Sequence, residues 1–160
     1  TYTNKLEILY DIATGLTQIH ESGLVHRDLH TKNVMCQGIK DRNLGRGEEF
    51  RFVIGDLGLA IPPKKDMVYG IISYTAPEVF GDSSASYTFA ADIYSFGILM
   101  WEILTGLRAF SDFKSETNLM LKICRGMRPA IEPNTPKLYA DLMQRCWNDD
   151  VNKRPTAREL

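Results

Sequence analysis

Between Asp28 and Asn33 the chain places a carboxylate, a cation at Lys32 and an amide within six residues. Such groups serve phosphoryl transfer. A carboxylate accepts or orients the nucleophile's proton, a cation meets developing charge, and oxygen ligands hold magnesium. A second isolated carboxylate, Asp56, stands among glycines at 55 and 58, where backbone can approach a ligand closely. Two oxygen ligands from different loops suit a metal that keeps several waters and binds substrate phosphates. Met in isolation, His26-Arg27-Asp28 reads equally well as a surface salt-bridge turn. The order and spacing of the other groups must decide between the two.

The surrounding pattern says which elements carry these residues. From Leu6, the positions Leu9, Ile12, Ala13, Leu16 and Ile19 recur at three- and four-residue steps, one face of an amphipathic helix. Thr3 or Asn4 is placed to cap its start and Gly23 its end. The polar run 26–33 then lies between two short apolar runs, Val34 to Cys36 and Phe50 to Ile54, read as strands joined by a solvated loop from Gln37 to Glu49. From Gly58 to Tyr69, Pro62-Pro63 and Lys64-Lys65-Asp66 fit neither period, which predicts a mobile segment. Tyr87 to Thr105 is apolar almost all round, with polar groups at Asp92, Ser95 and Glu102, and predicts a buried central helix ended by Gly106. Helices are expected at Glu116 to Arg125 and Pro136 to Trp147, and another begins at Thr156. One mainly α domain results.

Composition narrows the function classes. Nineteen basic and twenty acidic residues give a net charge of −1, so no global field attracts nucleic acid or an anionic membrane. The longest apolar run, Phe96 to Trp101 extended by Ile103 and Leu104, is too short to span a bilayer, and no basic-then-apolar leader opens the chain. A soluble cytoplasmic or nuclear location is expected, without a membrane or nucleic-acid partner. Cys36, Cys124 and Cys146 lack metal-ligand spacing and are expected as buried, reduced thiols.

The ordered motifs identify a resemblance. Protein kinases carry H-R-D, four residues and N, then D-F-G, then A-P-E. This chain has His26-Arg27-Asp28 with Asn33, then Asp56-Leu57-Gly58, then Ala76-Pro77-Glu78. Asp92-Ile93-Tyr94-Ser95-Phe96-Gly97, Trp101-Glu102, Cys146-Trp147 and Lys153-Arg154-Pro155 extend the match over nearly the whole chain. It resembles the eukaryotic protein kinase superfamily, and within it the tyrosine-kinase-like serine/threonine group.

The resemblance implies the helical C-terminal lobe of a kinase, with a short β-hairpin near the catalytic loop and the small lobe absent. Residues 1–160 contain neither the Gly-rich phosphate loop nor the V-A-I-K lysine and are expected to be part of a kinase domain, with little activity alone. Asp28 would be the catalytic carboxylate. Asn33 and Asp56 would ligate Mg2+ on ATP. Lys32 would contact phosphate, since His30 occupies the place where serine/threonine kinases usually carry a lysine. Structural duties are implied for Glu78 paired with Arg154, for Asp92 bonded to the catalytic-loop backbone, for His26 stacked with Leu57, and for Gly58. Tyr69 and Ser73 are the expected phosphorylation sites of an upstream activating kinase, with Arg27 as the phosphate's partner. Tyr74 and Thr75 are expected to pack.

Departures set the alternatives. Leu57 replaces the usual phenylalanine, and Ile71 stands where serine/threonine kinases usually carry a threonine. The platform Tyr74-Thr75-Ala76-Pro77-Glu78 lacks the tryptophan common in tyrosine kinases, which favours serine/threonine substrates over a tyrosine or dual-specificity kinase. A partner-binding pseudokinase is the competing class, opposed by the intact Asp28, Asn33 and Asp56.

Overall fold

In the computed structural model, residues 2–39, 49–65, 70–81 and 86–160 are described. Four helices, α1 (Tyr2–Glu21), α2 (Phe89–Thr105), α3 (Glu116–Cys124) and α4 (Lys137–Cys146), form the framework of the fold. Strands β1 (Val34–Ile39) and β2 (Glu49–Ile54) form an antiparallel hairpin in register Val34 to Ile54. Strands β3 (Lys64–Lys65) and β4 (Ser86–Tyr87) form a second, two-residue pair.

The apolar stripe of α1 buries Leu9, Ile12, Ala13 and Leu16. The helix starts at Tyr2, ahead of the periodic onset, so neither Thr3 nor Asn4 caps it. It ends as expected: Gly23, at φ 75°, lets its N–H reach the His20 carbonyl while Leu24 N–H reaches that of Ile19. At the centre lies α2, with eleven of its 17 residues buried, including Asp92, Ser95 and Glu102. It begins two residues later than the apolar run, because Tyr87 belongs to β4 and Thr88 is the cap. A Cβ on Gly97 would come within 2.8 Å of Cys146 Cβ, so this glycine sets how closely α2 and α4 pack.

Two expectations are corrected. The stretch after Gly58 is anchored where it is described: Val25 and Ile61 form an antiparallel bridge, and β3 pairs with β4. Prolines at 62 and 63 hid this pairing, since they interrupt any strand period. Of the cysteines only Cys146 is buried, whereas Cys36 and Cys124 are exposed. A two-stranded ribbon leaves one face to solvent at Cys36, and Cys124 closes the last turn of the short, largely exposed α3. Among the described residues no helix is long and apolar enough to cross a membrane.

Burial pushes the Cys146 thiol up to about 12 against its ordinary 9.0, with Arg145 and Arg154 opposing. It is therefore protonated at neutral pH and shielded. Thiol-labelling under native conditions is expected to modify Cys36 and Cys124 rapidly and Cys146 only on unfolding. The same shift has a sign for stability. The folded thiol holds its proton to higher pH than the unfolded one, so its contribution is complete below pH 9 and is lost as pH rises towards 12. Denaturation midpoints are expected to fall over that window, and a flat profile would refute the burial of this thiol.

Candidate active site

The run 26–33 is held from below by one buried carboxylate. Asp92, 1% exposed on α2, accepts N–H bonds from His26 at 2.8 Å and Arg27 at 2.9 Å. His20 Nε2, at the end of α1, lies 2.8 Å from the same carboxylate. These bonds hold Arg27 in the left-handed region, at φ 73°, a conformation that costs energy for a residue with a side chain. The next residue, Asp28, is half-buried.

Further bonds set the individual side chains. Asp28 N–H lies 3.3 Å from His26 Nδ1, and His26 Nε2 lies 3.1 Å from the Gly55 carbonyl. With Nδ1 accepting, Nε2 carries the proton and donates to Gly55, which ties the run to the residue before Asp56. Gly55 N–H in turn donates to the Asn33 carbonyl at 2.7 Å. Asn33 Nδ2 donates to the Asp28 carbonyl at 2.8 Å and faces Asp28 Oδ2 at 3.4 Å. Both donor contacts of this amide are thus spent on Asp28, and its oxygen is left as an acceptor on the other side.

Asp56 also adopts φ 55°, and its Oδ1 accepts the Gly58 N–H at 3.3 Å, leaving the carboxylate exposed. Asp56 and the Asn33 oxygen are hard oxygen donors from two loops joined by the Gly55 to Asn33 bond. That donor set fits a magnesium ion completed by water and phosphate. Among the described residues no cluster of three or more His, Cys, Asp or Glu forms an all-protein metal cage. Mg2+ does not require one.

The remaining sequence-designated residues fall around this centre. Lys32, four residues after Asp28, is exposed. Leu57 is 51% exposed, and the bonds that fix His26 run to Gly55 and Asp92. Gly58 is required close to Asp56: a Cβ there would meet Oδ1 at 3.2 Å. The Arg27 guanidinium is buried over the Tyr87 ring, 4.5 Å from its centroid. Glu78 and Arg154 form a bidentate pair at 2.6 and 2.8 Å. Ser73 is half-buried in a short turn, Ile72–Tyr74, whereas Tyr69 lies outside the described residues.

Three features were not anticipated. Gly70, at φ +89°, lies against Asp28, where a Cβ would come within 2.9 Å of Oδ1. That oxygen is buried and has no hydrogen-bond donor among the described residues. Tyr74 donates to Glu102 Oε2 and contacts Thr31 Oγ1 at 3.1 Å, while Glu102 Oε1 accepts the Ala109 N–H at 2.8 Å. Burial, reinforced by the Glu102 carboxylate, pushes the Tyr74 hydroxyl well above its ordinary value. Glu102, one of three polar positions in an otherwise apolar run, was the signal for this network. The third feature is the approach of His30 to Asp28, at 3.4 Å.

Comparison with known proteins identifies the family. The family model described as protein tyrosine and serine/threonine kinase matches residues 1–160. A putative serine/threonine-protein kinase/receptor of Acanthamoeba polyphaga mimivirus is 31% identical over 99% of the chain and 10% of its own length. A probable LIM domain-containing serine/threonine-protein kinase of Dictyostelium discoideum is 29% identical over 99% of the chain and 23% of its own length. Receptor-interacting serine/threonine-protein kinase 4 of Mus musculus is 30% identical over 98% of the chain and 21% of its own length. The chain spans a quarter or less of each.

Proposed function

Because the chain belongs to the protein tyrosine and serine/threonine kinase family, we propose that it carries the catalytic loop of an enzyme that transfers the γ-phosphoryl group of ATP to serine or threonine hydroxyls of protein substrates. The observation that supports this most is the Asp28, Asn33 and Asp56 cluster, joined by the Asn33 amide and the Gly55 N–H. The Asp28 carboxylate, with 19% of the side chain exposed, would accept the proton of the incoming hydroxyl. Asn33 and Asp56 would hold Mg2+ on the nucleotide. When bound, that ion neutralises charge on the phosphates. Exposed Lys32 offers a cation beside them. Serine/threonine specificity draws support from relatives whose names state it.

The test is to supply the full-length natural protein with γ-labelled ATP, Mg2+ and a peptide library containing serine, threonine and tyrosine, then to identify the labelled residue. Phosphoserine and phosphothreonine are expected. Phosphotyrosine alone would overturn the hydroxyl class.

Gly70 gives a sharper expectation. In Gly70→Ala the new methyl meets Asp28 Oδ1 at 2.9 Å and the Arg27 carbonyl at 3.3 Å, on a backbone conformation that alanine disfavours. Displacing Asp28 by a fraction of an ångström to about 1 Å is expected to slow transfer by about 10²-fold. A rate within twofold of the wild type would mean that Gly70 does not lie against Asp28 in the working enzyme.

A further inference from the structure

His30 stands where serine/threonine kinases usually carry a lysine, and the sequence assigned it no task. Its ring is buried, with 8% of the side chain exposed. The residue caps the short Thr31–Asn33 turn, and its Nδ1 accepts the Lys32 N–H at 3.2 Å. A nitrogen that accepts a backbone N–H carries no proton, so the ring is neutral with its hydrogen on Nε2. Nε2 lies 3.4 Å from Asp28 Oδ2, the same oxygen that Asn33 Nδ2 faces at 3.4 Å. The Tyr74 ring packs beside the imidazole, with centroids 5.8 Å apart, and is itself fixed by Thr31 and Glu102.

We propose that His30 is a positioning residue of the phosphoryl-transfer reaction: its Nε2–H, aimed by the Lys32 amide and the Tyr74 ring, holds Oδ2 of Asp28 and so fixes the carboxylate that takes the proton of the substrate hydroxyl. The inference rests on the kinase reading above. The present separation is longer than the usual 2.9 to 3.0 Å of an N–H···O bond, and catalytic bonds of this kind commonly shorten when substrate binds. His30 does not repeat the part of a lysine. A neutral ring locked in this tautomer supplies a directed donor and no positive charge, which leaves Lys32 as the cation of the loop.

The test uses the full-length natural protein with Mg2+-ATP and a serine/threonine peptide. His30→Phe keeps a ring against Tyr74 and removes the donor. It is expected to lower kcat by about 10- to 100-fold, the scale of one hydrogen bond to a charged group, with KM for ATP and peptide within twofold. His30→Gln returns an N–H near the position of Nε2 and is expected to recover most of kcat, which a space-filling role would not allow. Equal rates for wild type and His30→Phe, or equal losses in Phe and Gln variants of unchanged melting temperature, overturn the proposal. A measurement independent of activity is the 15N shift of the His30 ring in the unmodified protein. Nδ1 is expected in the unprotonated range and Nε2 in the protonated one; the reverse tautomer overturns the proposal even if the protein transfers no phosphate, a result that would instead sink the kinase reading.

Discussion

Replacing Arg154 by alanine is expected to lower the unfolding temperature of this lobe by roughly 6 to 20 °C. The side chain is fully buried and makes four bonds: two to the Glu78 carboxylate, one to the Ala90 carbonyl at 2.9 Å and one from Nε to the Asn148 carbonyl at 2.9 Å. Its guanidinium also lies 5.3 Å from the Tyr94 ring centroid. Removing one partner of a buried pair typically costs about 3 to 5 kcal/mol, because the other charge and the carbonyls keep their desolvation without compensation. A domain of this size shifts by about 2 to 4 °C per kcal/mol. Arg154→Lys is expected to restore only part of the loss, since an ammonium cannot reproduce the planar fork that meets both oxygens of Glu78. The unfolding transition in scanning calorimetry checks both variants. An Arg154→Ala transition within 2 °C of the wild type would remove the pairing from the account of stability.

Asp28→Asn carries the largest expected effect on rate. The amide keeps the volume and most contacts of the carboxylate, and Asp92 still holds the backbone through His26 and Arg27. What is lost is an acceptor for the hydroxyl proton, a contribution of about 10² to 10⁴-fold. The expected signature in steady-state kinetics is a fall of that size in kcat with an unchanged melting temperature and an ATP KM within a few-fold. Retention of full kcat would show that another group takes the proton. Loss of ATP binding instead of kcat would move Asp28 from the chemistry to the nucleotide site.

Much of the arrangement was legible in the chain. The all-round apolar run with three polar interruptions identified α2 as the buried centre. Two of those interruptions, Asp92 and Glu102, prove to be the buried carboxylates that anchor the catalytic loop and the platform. The periodicity of α1 and the glycine at 23 were equally plain. The identities of Asp28, Asn33 and Asp56 came from motif order, and their adjacency came from bonds no spacing reveals, such as Gly55 to the Asn33 carbonyl. The short β3–β4 pair was not legible because two residues carry no period. Gly70 was unremarkable in sequence because its role depends on a long-range approach to Asp28. His30 was legible only as a departure from a lysine; its use required the geometry of Lys32 N–H and Asp28 together.

The most direct measurement of the central claim is transfer of label from γ-labelled ATP to peptide by the full-length natural protein, run in parallel with Mg2+ and with a chelator. The account predicts labelled peptide with Mg2+ and none with the chelator. Nucleotide bound but no label in either arm would contradict it and assign this lobe to a partner-binding protein that has kept the kinase fold without the reaction.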